Sequence, residues 1–413
     1  MSDKKIKVLV LSSDNQGVGW FRSIWPHQYA QEMSDEFDFD IMQAKDLPKD
    51  NVADFLSQYD MLVFHKQLDP AGRIIDTAKY LNLVVVCDID DYWNLGLDHP
   101  LHYSSVANKW PEAITAHLRK ADHVTTTSEL FADRIRQLNK NVTVLENGID
   151  KEFMPQFSEN KNPRPNGRLR IGVLCGSAHL KDIELMKGIS SLPASVMDKI
   201  QLVECGKDFR GHQTIFNKQT GEQKVVPLER SKSVWVRYTE LLTNNYKTVS
   251  QDHASYLKMY LDGDDPFENE AFRAFHTRPI NEYARNYENL DVLLAPLKEN
   301  DFNRYKSALK VAECAYSGTM IMCTNFGPYT LDLRSYFKFG GGVDEDANSI
   351  LIDSSKNHKA WAKYVTFLAE NQEVVPLLAA NLKRDVYEKY ALKNITQRRL
   401  ELYKKLYQEH QNK

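Results

Sequence analysis

Residues 291–328 read DVLLAPLKENDFNRYKSALKVAECAYSGTMIMCTNFGP: an apolar strand, a polar loop, a helix dense in Lys and Glu, a glycine turn, a second apolar strand and a Gly-Pro stop. The loop and the first helical turn carry Asn303, Arg304, Lys306, Ser307 and Lys310, with Glu313 one turn on. Free backbone N–H groups at a helix start, reinforced by cations, make a site for phosphate. A carboxylate one turn further accepts hydrogen bonds from sugar hydroxyls. Such a set suits a diphosphate joined to a ribose on one side and to a sugar on the other. An amphipathic helix whose Lys and Glu merely face water reads these residues equally well, so the rest of the chain has to decide.

Outward from that stretch, short apolar runs alternate with helical patterns, the signature of βα units and parallel sheets. Strands are expected at Lys7 to Ser13, Asp60 to His65, Leu83 to Asp90, His123 to Ser128 and Val142 to Asn147. The near-continuous Val, Leu and Ile of the first and third suit strands buried on both faces. Helices are expected after Gly19, after Pro70, from Pro111 to Lys120 and from Ser128 to Leu138. FSENKNPRPNGRLR, Phe157 to Arg170, is polar, Pro-rich and without apolar period, and reads as a linker. The rhythm then restarts, with strands expected at Ile171 to Cys175, Gln201 to Cys205, Asp291 to Ala295 and Thr319 to Cys323. A helix is expected from Ile280 to Tyr287, and one from Val234 to Leu242 inside an insertion at about 212–273. Two amphipathic helices are expected after Trp361. The organisation is an α/β chain of two domains, 1–160 and 168–393, with residues 394–413 forming a last helix.

Composition narrows the classes. Lys plus Arg is 53 and Asp plus Glu is 56, a net charge of −3, which gives no general pull toward nucleic acid or anionic lipid. No apolar run approaches the ~20 residues that span a bilayer, so no integral membrane segment is expected. The opening MSDKKIKVLVLSS reads as a first strand rather than a signal peptide. Cys87, Cys175, Cys205, Cys314 and Cys323 sit in or beside apolar segments without a CxxC pair, as buried thiols in a reducing cytoplasm do. A cytoplasmic protein is expected, with peripheral attachment to a membrane as the alternative.

Three further motifs bear on a site. In SSDNQGVGWFRSIWP, Gly17 and Gly19 lie between a strand and a helix start, and Arg22 is placed one turn in for an anionic group. The third glycine of GxGxxG is missing, so no dinucleotide fingerprint is present. The third strand ends in DIDDYWN, whose Asp88, Asp90 and Asp91 lie on the binding side of an open parallel sheet. Orienting an acceptor hydroxyl, acting as a base, holding a metal and capping a helix all remain open for them. RIGVLCGSAHLKD repeats the strand–turn–helix arrangement with Gly176, Ser177, His179 and Lys181.

These residues resemble a family. NQGVGWFR, the segment from Ala121 to Asp150, GSAHLKD, and NDFNRYKSALKVAECAYSGTMIMCTNFGPY together look like GT-B glycosyltransferases of the retaining group-1, or family 4, type. The resemblance implies two Rossmann-like βαβ domains facing across a cleft, with the C-terminal helix crossing back to the N-terminal domain. It implies a nucleoside-diphosphate sugar on the C-terminal domain, a hydroxyl acceptor entering from the N-terminal one, and transfer of a hexosyl or pentosyl group with retention. No cofactor and no metal are then required. Gly17, Gly19, Arg22, Gly176, Ser177, His179, Lys181, Asn303, Lys306, Ser307, Lys310 and Glu313 are the expected donor-binding residues, and Asp90 and Asp91 the expected catalytic ones. By position Glu313 matches the second Glu of the family's E-x7-E motif, a ribose contact. Tyr305 replaces the first Glu, and Ser177 replaces an Arg of the phosphate clamp. The acceptor is left open between a glycan, a lipid-linked saccharide and modified phage DNA. A nucleotide-sugar epimerase and a non-catalytic nucleotide-sugar binding protein are the competing functions.

Overall fold

The computed structural model describes residues 5–48, 50–66, 73–208, 212–216, 223–229, 232–244, 269–353 and 358–412. Two six-stranded sheets, parallel throughout, organise two lobes. The first has the order β2-β1-β3-β4-β5-β6, built from β1 (Ile6–Ser12), β2 (Phe37–Gln43), β3 (Met61–His65), β4 (Val84–Asp88), β5 (His123–Thr126) and β6 (Val142–Val144). The second has the order β11-β8-β7-β12-β13-β14. Its strands are β7 (Leu169–Leu174), β8 (Ile200–Lys207), β11 (Phe272–His276), β12 (Val292–Ala295), β13 (Met320–Thr324) and β14 (Ile350–Ile352). Between β8 and β11, β9 (His212–Phe216) and β10 (Gln223–Pro227) form an antiparallel ribbon, followed by the helix Val234–Leu242. Residues 217–222, 230–231 and 245–268 of the expected insertion lie outside the described residues.

The aliphatic strands bury both faces under helices, as parallel sheets require. Val8, Val10 and Val63 on one face of the first sheet pack against Leu400 and Tyr403 of the helix Leu392–Gln411, so the end of the chain closes the N-terminal lobe. The return is pinned where Ile149 N bonds Tyr390 O at 2.9 Å and Leu392 N bonds Ile149 O at 3.0 Å. Gly148 sits at this crossing, and a Cβ there would stand 2.7 Å from Leu392 Cα. Phe21 and Trp25 of the first lobe share a core with Tyr287, Leu290 and Leu392, which ties the lobes at their base.

Several expectations are corrected. β2, β11 and β14 had no counterpart in the expected strands. Trp361 itself lies inside a helix, His358–Glu370, and the two expected helices follow it as Val374–Val386 and Leu392–Gln411. The segment after Gly19 starts as a π turn, Trp20–Ile24, before the α-helix Trp25–Met33. The stretch after Asn300 is two helices, Asp301–Arg304 and Leu309–Ser317, separated by the turn that holds Tyr305, Lys306 and Ser307.

Candidate active site in the cleft between the lobes

The C-terminal ends of both sheets face one another. Lys298 Nζ reaches Asp98 Oδ2 across the gap at 2.6 Å, and the rings of His99 and Phe302 meet at 4.7 Å. Between these contacts lies a cavity of about 500 Å³ whose walls include Asn94, His99, Ala178, Lys181, Phe302 and Lys306. A second cavity of about 450 Å³ opens beside Thr127 and Glu146. Its cations Arg136, Arg398 and Lys389 are already paired with Glu129, Glu146 and Asp332, which leaves it poorly suited to an anion.

Lys306 is half-buried on the C-terminal wall of the first cavity. Burial lowers its pKa, opposed by Asp182 and by Asp91 from the facing lobe. Its amine approaches His179 Nε2 at 3.5 Å, and His179 Nδ1 bonds Asp182 Oδ2 at 2.8 Å. Burial and Lys306 together lower the pKa of His179, so the neutral ring accepts from the lysine and donates to the aspartate. The turn that carries His179 is fixed from the insertion: Tyr238 donates to Gly176 O at 3.0 Å and accepts from His179 N at 2.8 Å. A Cβ at Gly176 would meet nothing within 4 Å, and Ser177 is exposed, so this turn presents backbone to open space. Lys181, also exposed, pairs with Glu184 at 3.0 Å.

Lys310 stands at the second position of the helix Leu309–Ser317 and reaches Glu313 Oε2 at 2.7 Å. Glu313 is buried, and both Tyr283 and Tyr287 donate to it, the latter at 2.6 Å. Its carboxylate is therefore covered by two phenols and an amine, not open to the cleft as a direct ribose contact was expected to be. Asn303 also turns inward: its amide donates to Asp182 Oδ1 and to Lys298 O, both at 2.8 Å. Ser307 Oγ, half-buried, accepts from Asn147 Nδ2 of the N-terminal lobe at 3.2 Å.

On the opposite wall two expectations change role. Arg22 is fully buried, and its guanidinium is divided among Asp88, Leu145 O and Asn147 Oδ1. It holds the N-terminal lobe together, with four of its five N–H groups bonded inside the lobe and the side chain out of solvent. The helix start at Gly17 is likewise filled from within, because Asp14 Oδ1 accepts from Gln16 N at 2.8 Å and from Gly19 N at 3.2 Å. Gly19 is required by sterics, since a Cβ there would lie 2.2 Å from Asp14 O. Gly17 faces the other lobe, where a Cβ would sit 3.6 Å from Ile280 Cδ1.

The three acids at the end of β4 separate. Asp88 pairs with Arg22, Asp90 bonds His65 Nε2 at 3.0 Å and Lys66 Nζ at 2.6 Å, and Asp91, partly exposed, meets Lys66 at 3.3 Å. Asp88 is neutralised by Arg22, whereas Asp90 and Asp91 converge on the one amine of Lys66. Among the described residues no three His, Cys, Asp or Glu side chains converge to hold a metal. The sequence reading missed His65 and Lys66, and also Tyr305, whose ring enters the N-terminal lobe. It lies 5.1 Å from Tyr92 and stacks at 5.6 Å on Phe131.

No protein-family model matches the chain, and no curated protein matches it in sequence. Solved structures do match in fold over nearly their whole length. Anabaena HepE, solved with UDP and glucose, superposes with a TM-score of 0.58 at 10% identity, covering 97% of this chain and 100% of HepE. Sucrose-phosphate synthase of Thermosynechococcus elongatus gives 0.58 at 12% identity over 98% and 99% of the two chains. An α-glucosyltransferase solved with UDP-glucose and DNA containing an abasic site gives 0.56 at 10% identity over 97% and 99%. Identities this low establish architecture. That architecture is GT-B, the fold these glycosyltransferases share. No helix among the described residues is long and apolar enough to cross a membrane.

Proposed function

We propose that the chain is a glycosyltransferase that moves a sugar from a nucleoside-diphosphate sugar to a hydroxyl acceptor. The observation that carries the reading is Lys306, lining a cleft between two facing sheets, with Lys310 at the start of the following helix and Asp91 opposite. Helix amides and two amines suit a pyrophosphate whose negative charge grows as the glycosidic bond breaks. Fixed donors of this kind stabilise a leaving group without reorganising. A uridine diphosphate sugar is the first donor to try, because structures of this fold were solved with UDP and UDP-glucose. On binding, Lys310 would leave Glu313 for the phosphates and free a carboxylate oxygen for the ribose. The contacts Lys298–Asp98 and Tyr305–Tyr92 support a closed state that keeps water from the donor. Retention of configuration and the family 4 assignment belong to this reading through the sequence resemblance.

A thermal-shift screen of nucleoside diphosphates and their sugars tests it, since a ligand that binds only the folded state raises its melting temperature. Stabilisation by one nucleotide series is expected, and none across the whole panel would remove the proposal. The DNA-directed alternative predicts binding to duplex that weakens steeply with salt. Turnover of donor without any acceptor to a sugar epimer would mark an epimerase, and tight donor binding without turnover a sensor.

A further inference from the structure

We propose that Ser13, His65 and Asp90 form a proton relay that binds and activates the hydroxyl receiving the sugar, an inference that rests on the glycosyl-transfer reading above. The three residues come from neighbouring strands. Ser13 follows β1, His65 is the last residue of β3, and Asp90 lies two residues beyond β4. Strand pairing therefore brings together groups that are far apart in sequence. His65 and Asp90 are buried, whereas Ser13 is exposed. Ser13 Oγ lies 2.8 Å from His65 Nδ1, and His65 Nε2 lies 3.0 Å from Asp90 Oδ1.

The network fixes the direction of the protons. Asp90 also bonds Lys66 at 2.6 Å. Burial alone would raise its pKa, but Lys66 and His65 outweigh burial and hold it below the ordinary carboxylate value. The ionised carboxylate can only accept, so Nε2 carries hydrogen and Nδ1 is left bare. Ser13 then donates to Nδ1, in competition with a longer contact to Asp14 Oδ2 at 3.1 Å. Its oxygen keeps lone pairs for an incoming hydroxyl. The arrangement has the logic of an activated hydroxyl: oxygen, base, and a third group that orients the base. Its place beside the cleft follows from its neighbours. Asp91, which shares Lys66 with Asp90, raises the pKa of Lys306 on the facing lobe. Tyr92 lines the cavity, and Gly17, at the end of the loop after Ser13, faces Ile280 of the other lobe.

In the transfer step the acceptor O–H bond breaks as its oxygen bonds to the anomeric carbon on the face from which the diphosphate departs, which keeps the configuration. The proton passes to Ser13 Oγ while the proton of Ser13 moves to His65 Nδ1. The bond from the anomeric carbon to the diphosphate breaks, and its electron pair leaves with the diphosphate. Asp90 stabilises the imidazolium, which afterwards releases its proton to solvent. Water that reaches Ser13 is subject to the same activation, so hydrolysis of donor reports on the relay when no acceptor is known.

The test is UDP release from UDP-glucose in water at neutral pH, with UDP affinity measured by calorimetry. Wild type, Ser13→Ala, His65→Gln and Asp90→Asn are compared. Removing a general base costs about 10²-fold or more, so Ser13→Ala and His65→Gln are expected to release UDP at least ~100-fold more slowly. Asp90→Asn should slow release as well, because the ring of His65 then loses the carboxylate that orients it. UDP affinity should stay within twofold throughout, which a merely structural role would not predict alongside lost turnover. Ser13 is exposed, so its alanine variant keeps the assay meaningful if the others unfold. Wild-type release at the uncatalysed rate, or wild-type release by Ser13→Ala, overturns the relay. Failure of the wild type to bind UDP strikes the glycosyl-transfer reading beneath it.

Discussion

Arg22 and Asp88 meet through two hydrogen bonds, Nε to Oδ1 at 2.9 Å and Nη2 to Oδ2 at 2.6 Å, with both side chains out of solvent. Leaving either charge alone in the interior costs about 3–5 kcal/mol. Arg22→Met and Asp88→Asn should each lower unfolding free energy by roughly that amount, read from urea midpoints. Burial alone would raise the pKa of Asp88, yet Arg22 brings it below the ordinary value. The stability it contributes is present above the unfolded-state pKa and is lost as pH falls from there toward the folded one. Little change in the urea midpoint of either variant would show that the pair is not what holds this lobe.

Two buried histidines predict a second acid sensitivity, at higher pH. Burial, helped by Arg399, lowers His27 from 6.5 to about 3, and burial with Lys405 lowers His123 from 6.5 to about 4. The unfolded chain then binds protons first. The stability is complete above pH ~6.5 and declines below it, by up to about 1.4 kcal/mol per pH unit for each histidine. Urea unfolding at pH 7, 6, 5 and 4 should show the decline, and His123→Gln should make it shallower. An unchanged slope in that variant would assign the acid loss to other groups.

Tyr305 places a ring from the C-terminal lobe between Tyr92 and Phe131 of the other lobe. Aromatic pairs contribute about 0.5–1.5 kcal/mol beyond area burial, enough to bias an equilibrium between open and closed lobes. Tyr305→Ala should raise the radius of gyration in small-angle X-ray scattering of the free protein. The same radius in both proteins would mean that this contact does not hold the cleft shut.

Lys306 is a half-buried amine on the cavity wall. Burial lowers its pKa, so the protonated amine destabilises the fold. Lys306→Met should leave the melting temperature of the free protein unchanged or raise it, while removing the upward shift caused by UDP. A lower melting temperature without ligand would make Lys306 a structural residue.

Much of this architecture is legible in sequence where physics is one-dimensional. Uniformly aliphatic runs such as Val84–Val86 announce buried parallel strands, and the glycine after Ser317 marks a helix end at a positive φ of 60°. β2, FDFDIMQ, is harder to see because it is an edge strand whose Asp38 and Asp40 break the aliphatic run. Candidate residues were found by type, but orientation is tertiary. Arg22, Asn303 and Glu313 turn their polar groups inward, while Lys306, half-buried, lines the cavity. His65 closes an apolar strand, and its partners lie 52 and 25 residues away, so no local spacing marks it. A polar residue at the C-terminal end of a buried parallel strand was the signal available.

The central claim is that the cleft grips a nucleoside diphosphate through the turn and helix that carry Lys306 and Lys310. Calorimetric titration of UDP into wild type, Lys306→Met and Lys310→Met tests it most directly. Saturable one-site binding to the wild type is predicted, weakened at least about tenfold in each variant, or roughly 1.4 kcal/mol. Wild-type affinity in both variants, or no binding to any of the three, would contradict it.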